Sequence, residues 1–179
     1  MKKLSMTLPF ALILCFMVGC QDKEAMAELE AMKAQAEMVA KNEAAVRYLL
    51  EETDKMNYAA WDEVYSPDYV ARFAGTPKSL NLEEHKRANR SLYVAFPDLK
   101  HEINDIVAEP DRAVFYVTLT GTHKGEFMGI PPTGKKIKYA ALGWLRFSEG
   151  KIIEGYAMAD MQSLMQQLGM ELKPKEKEK

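Results

Sequence analysis

Cysteine is nearly absent from this 179-residue chain: Cys15 and Cys20 are the only two, and both lie near its beginning. Residues 21–179 can therefore supply no thiol nucleophile, no cysteine-ligated metal and no disulfide among themselves. Histidine is also scarce. His85, His101 and His123 stand far apart without HExxH-type spacing, which does not suggest a metal site. There is no GxSxG elbow, no phosphate-cradling glycine loop and no nucleotide fingerprint. Neither sign of charge dominates, with 24 basic and 26 acidic residues and a formal charge of −2, which argues against nucleic acid as a partner. The longest apolar run near the start, Leu8 to Val18, is too short to span a bilayer comfortably.

The composition that remains, 47% hydrophobic and 28% charged, suits one globular domain. The first residues stand apart from it. Lys2 and Lys3 precede the apolar run, and Met17-Val18-Gly19-Cys20 leads at once into Gln21-Asp22-Lys23-Glu24. A small residue followed by Cys in this setting resembles the lipobox of bacterial lipoproteins. The resemblance implies cleavage before Cys20 and a lipid on its sulfur; an ordinary secretory signal or an uncleaved anchor is the alternative. The implied location is the bacterial cell envelope. Gln21, rather than Asp, after the acylated position favours the outer membrane if the cell has one. Processing would leave 22 basic and 26 acidic residues, a charge of −4.

Residues 1–19 thus read as a lipoprotein signal peptide and 20–41 as a helical spacer rich in Ala, Glu, Met and Lys. A partner or coiled-coil helix is the other reading of that segment. Residues 42–170 read as an α+β domain and 171–179 as a charged tail. From Asn42, Val46, Leu49 and Leu50 recur at helical spacing, and a shorter helix carrying Trp61, Val64 and Tyr65 follows. Tyr69 to Phe73 is a short strand. Asn81 with Glu84 forms a capping box for a helix that ends at Phe96-Pro97. The second half is expected to be strands: Lys100 to Ala108, Ala113 to Thr122, Ile137 to Phe147 and Ile152 to Asp160, then a closing helical segment from Ser163 to Met170. Helices first and strands after predict a curved antiparallel sheet covered by the N-terminal helices, with one open end through which a small molecule could enter.

Several ordered motifs carry a further likeness. Asn42 to Arg47, Trp61 to Val70, Phe96 to Leu99, the loop Gly121 to Lys135 and the closing block Glu154 to Gly169 resemble SnoaL-like polyketide cyclases. That resemblance implies a cone-shaped fold like nuclear transport factor 2, often dimeric. It also implies cofactor-free ring closure by aldol chemistry, with an aspartate of the closing block as general acid/base. Asp160 occupies that position. Two departures stand out: Gly155 and Tyr156 replace a usual His and Trp, and Arg72 and Phe73 follow the strand where many members carry His.

If the face of the last strand that carries Glu154, Tyr156, Met158 and Asp160 is concave, Asp160 sits in an apolar pocket. Burial there would raise its pKa toward a useful range. An N-cap for the closing helix is the competing and compatible role. His123 could polarise a carbonyl, or simply tie the following loop. Phe73, Tyr116, Tyr139 and Trp144, with Tyr156 and Met158, are the candidate substrate-binding walls, although each could equally be core. His85, among glutamates and lysines, and His101, near a strand start, are expected at the surface. Three functions remain open at this level: an envelope enzyme acting on a small hydrophobic or carbonyl compound, a non-catalytic binding domain, and a dimeric scaffold.

Overall fold

The computed structural model describes the backbone of residues 10–171 and the side chains of residues 23–171. The charged tail from Lys173 and the side chain of Cys20 lie outside these. The chain divides into two units, Met1–Glu37 and Met38–Lys179. One helix, α1 (Phe10–Asp54), runs from the first into the second. Residues 23–38 are exposed along its length, whereas Val46, Leu49 and Leu50 are buried. That switch marks where the i, i+3, i+4 apolar stripe meets a core.

In the second unit, α2 (Trp61–Val64) and β1 (Tyr65–Phe73) follow, and then α3 (Leu82–Ala95). The capping box of α3 forms as expected: the Asn81 side chain accepts from the Glu84 amide at 2.9 Å and Glu84 accepts from the Asn81 amide at 3.1 Å. Four strands come next, β2 (Lys100–Ala108), β3 (Arg112–Thr122), β4 (Lys136–Ser148) and β5 (Lys151–Ala159), and α4 (Met161–Leu168) is the last described element. The sheet order is β1-β5-β4-β3-β2. The sheet is curved and unclosed, and it is mixed rather than wholly antiparallel. β2 to β5 pair antiparallel, but β1 joins the edge of β5 in parallel, with Ala71 opposite Gly155 and Phe73 opposite Ala157. The intervening helix and meander supply the long connection that a parallel pair requires.

One face of the sheet carries Val117, Leu119, Ile137, Tyr139, Leu145, Phe147 and Ile152, all buried against Leu49, Leu50, Trp61, Tyr93 and Phe96 from the helical layer. Trp61 reaches back to α1, its indole N–H donating to Thr53 Oγ1 at 3.0 Å. At the other end of α1, the Asn42 amide donates to the Glu109 and Pro110 carbonyls at 2.8 and 3.1 Å, fixing the β2–β3 turn. A buried polar side chain is thereby paired.

Candidate functional site

Strand parity decides where most of the expected site residues lie. On β4, Tyr139 and Leu145 point to the core, so Leu142 and Trp144 point away from it. Trp144 pairs with Tyr156, Leu142 with Met158, and Tyr116 with Leu142. Tyr116, Tyr156, Met158 and Leu142 are 40–49% exposed. The expected concave wall of Tyr116, Trp144, Tyr156 and Met158 is therefore an apolar strip on the outward face of the sheet. The inward positions of β5 are Gly155, Ala157 and Ala159. Glu154 also faces outward, held between Arg72 and Arg146, with Arg146 Nη2 2.6 Å from Glu154 Oε2.

Asp160 lies just beyond β5 and is exposed. Its carboxylate accepts from the Ser163 amide at 2.9 Å and caps α4. The capping role expected for it is realised, and the apolar pocket is not formed around it. His123 is fully buried. Thr133 N donates to its Nδ1 at 3.3 Å, and its Nε2 is enclosed without a partner. It ties the 123–134 loop, reinforced by the Gly134 amide donating to its carbonyl at 2.9 Å. As folded it cannot reach a substrate. Of the expected walls, Tyr139 belongs to the core, where burial pushes its hydroxyl up to about 12. Phe73 lines a cleft.

That cleft, of about 340 Å³, lies between the end of β1, the exposed side of α3 and the loop after β3. Phe73, Ala88, Leu92, Phe127 and Met128 make it largely apolar. Asn89, Ser91 and Glu126 add polar groups, and Glu126 is the only titratable side chain among the lining residues. Its loop wall is clasped to α3 by the Lys124 and Gly125 amides, which both donate to the Ala95 carbonyl at 2.9 and 3.0 Å. Phe127 also packs on Phe96 with centroids 5.1 Å apart. A second concavity, about 390 Å³, is lined by Asp98, Thr122, Lys136, Lys138 and Gln167. Asp98 and Gln167 are already engaged within it: Asp98 accepts from Thr122, and Gln167 bridges the Lys138 backbone.

Behind Phe73 lies a residue expected at the surface. The His85 ring contacts Trp61, Tyr69 and Phe73 with centroids 4.9, 5.8 and 5.2 Å apart, and Tyr65 is 6.4 Å away. Its residue keeps some exposed area, but the aromatic packing sets its titration: burial pulls the imidazole down to about 4. Tyr69 Oη lies 3.4 Å from His85 Nδ1. Tyr65 in turn packs on Tyr69 with ring centroids 4.3 Å apart, and burial raises both phenols far above their ordinary value. His101 is not free either. Its Nδ1 is 2.7 Å from Asp54 Oδ1, which also accepts from Tyr93 Oη at 2.9 Å. Burial opposes the charge on Asp54, but the bonds from His101 and Tyr93 outweigh it and hold the carboxyl below its usual value. This cluster joins the end of α1 to α3 and to the start of β2.

The model of SnoaL-like polyketide cyclases matches residues 43–168. The chain belongs to that family. Solved structures agree. AclR from Streptomyces galilaeus, a candidate hydroxylase, is 30% identical with a TM-score of 0.67, over 73% of this chain and 97% of that one. IdmH from Streptomyces antibioticus, a candidate polyketide cyclase, is 26% identical with a TM-score of 0.67, over 72% and 99%. A candidate SnoaL-like polyketide cyclase from Jannaschia sp. CCS1 shares the fold at 22% identity, with a TM-score of 0.70 over 75% and 96%. No curated protein matches the sequence. Family membership explains the sheet and its helical cover. It leaves open which side chains of this chain meet a ligand, and there the geometry favours the Phe73–Leu92–Phe127 cleft.

Proposed function

We propose that this family member binds a small, largely apolar carbonyl compound in the cleft and acts on it without a cofactor, by ring closure or isomerisation. The observation that carries the reading is an apolar cleft with one carboxylate, Glu126, on its wall. A carboxylate beside a bound ketone can take the proton from the carbon next to the carbonyl. The resulting enolate either attacks a second carbonyl of the same molecule or takes the proton back at another position. Glu126 thus has the role that the family resemblance suggested for Asp160, whose carboxylate is occupied in capping α4. A non-catalytic binding domain is the second reading, favoured by the exposure of Glu126.

Exchange of the C2 protons of 1-tetralone in deuterated water tests this without knowledge of the natural substrate. The wild type is expected to accelerate exchange. Glu126→Gln should lose about 10²-fold or more of that acceleration, and Asp160→Asn should keep it. Loss in Asp160→Asn with retention in Glu126→Gln would return the chemistry to Asp160. Binding of 1-tetralone with no acceleration would favour the non-catalytic reading.

Two further proposals concern where the protein works. Among the described residues no helix is long and apolar enough to cross a membrane. The lipobox-like run supports an anchor at Cys20, so Cys20→Ser should move the protein from the membrane fraction to the soluble one; unchanged fractionation would refute the anchor. The outward strip of Val114, Tyr116, Leu142, Trp144, Tyr156 and Met158 supports a homodimer through the sheet face. Arg72, Glu154 and Arg146 at its border could pair across a two-fold axis. Sedimentation should find a dimer at micromolar concentration, and Tyr156→Glu should make it a monomer. A wild-type monomer would contradict this.

A further inference from the structure

We infer that His85 is the oxygen-binding group at the inner end of the cleft, a neutral imidazole that offers its Nε2–H to the carbonyl of the bound molecule, and that Tyr69 and Tyr65 position it. The inference rests on the reading of the cleft given above. Spacing along α3 places the ring: His85, Ala88, Asn89 and Leu92 follow one another at i, i+3, i+4 and i+7 on one face, and the last three line the cleft. Phe73 is the shared wall. It lines the cleft and packs edge-on against the His85 ring.

The Tyr69 contact bears on which nitrogen carries the proton: its hydroxyl lies 3.4 Å from His85 Nδ1 and can direct its hydrogen there. A neutral ring that accepts at Nδ1 bears its hydrogen at Nε2. Among the described residues, only Tyr58 Oη and His123 Nε2 are fully enclosed polar side-chain atoms without a partner. The His85 Nε2 has no hydrogen-bond partner and is not one of these, so it is reachable from outside. Gly155 makes the arrangement fit, since a Cβ there would stand 2.4 Å from Tyr69 Oη. A neutral N–H donor in apolar surroundings suits a carbonyl oxygen, and its bond strengthens as negative charge builds on that oxygen.

The test has two arms on the full chain. Nitrogen-15 NMR of the imidazole at pH 7 should find His85 protonated at Nε2. Tyr69→Phe and Gly155→Ala should both weaken that preference. A ring protonated at Nδ1 in the wild type would overturn the inference. In the second arm, 1-tetralone is compared with tetralin, the same skeleton without the oxygen. The wild type should prefer the ketone by roughly fivefold, and His85→Phe should bind the two equally. A preference unchanged in a folded His85→Phe protein, or already absent in the wild type, would overturn the role of His85 alone. Failure of both probes to bind the wild type would overturn the cleft reading and this role with it.

Discussion

Gly125→Ala is expected to be the most damaging single-methyl change in the domain. Gly125 has an ordinary backbone angle, so its glycine is required for space. A Cβ there would lie 2.3 Å from the Val94 carbonyl oxygen and 3.1 Å from Ala95 Cα, and both obstacles are backbone. A flexible side chain could move aside, but the last turn of α3 cannot do so cheaply. The loop must lift instead, giving up the two amide bonds from Lys124 and Gly125 to the Ala95 carbonyl. Overpacking together with those lost bonds puts the cost at about 2–4 kcal/mol. The loop carries Glu126, Phe127 and Met128, so the same change should open one wall of the cleft. Denaturant unfolding and 1-tetralone affinity would both fall. A variant as stable as the wild type would mean that the clasp does not hold the loop.

The second large effect is a loss of stability on acidification that traces to His85. Burial lowers its folded pKa from the usual 6.5 to about 4, so between these values the unfolded chain binds more protons than the folded one. Stability is then full above about pH 6.5 and falls as the pH drops toward 4. Over 2.5 pH units of displacement the loss approaches ~3 kcal/mol. The groups packed around the ring, Trp61, Tyr65, Tyr69 and Phe73, are uncharged throughout that window. Carboxylates held low by partners, such as Asp54 and Glu84, lose their contributions only at still lower pH, as they protonate. His85→Phe should therefore flatten the stability profile between pH 6.5 and 4 and leave the steeper acid limb in place. An equal slope in both proteins would show that His85 is not held neutral.

Much of the fold was legible because the deciding signals are local. The Asn81–Glu84 capping box, the break at Pro97 and the alternation of β3 each concern residues within a few positions of one another. The parallel pairing of β1 with β5 was not legible, since it joins segments about eighty residues apart with no local mark in either. The site was harder for a related reason. β4 is apolar on both faces, Tyr139 and Leu145 on one and Leu142 and Trp144 on the other, so its pattern did not say which face meets the core. That ambiguity carried over to β5 and put Tyr156, Met158 and Asp160 on the wrong side. His85 was obscured by its neighbours Glu83, Glu84, Lys86 and Arg87. The signal that could have found it is its seven-residue spacing to Leu92, together with Tyr69 and Phe73 on one face of β1. Gly155, which read as a missing family side chain, is the space into which the Tyr69 hydroxyl fits.

The central claim is that this SnoaL-like protein receives its ligand between β1, α3 and the loop after β3. Mapping amide and methyl NMR shifts on titration with 1-tetralone tests it most directly. The account predicts saturable shifts at Phe73, Ala88, Asn89, Leu92 and Phe127, with Asp160 and Ser163 unmoved. Shifts centred on Asp160 and α4, with the Phe73–Leu92–Phe127 cleft silent, would contradict it.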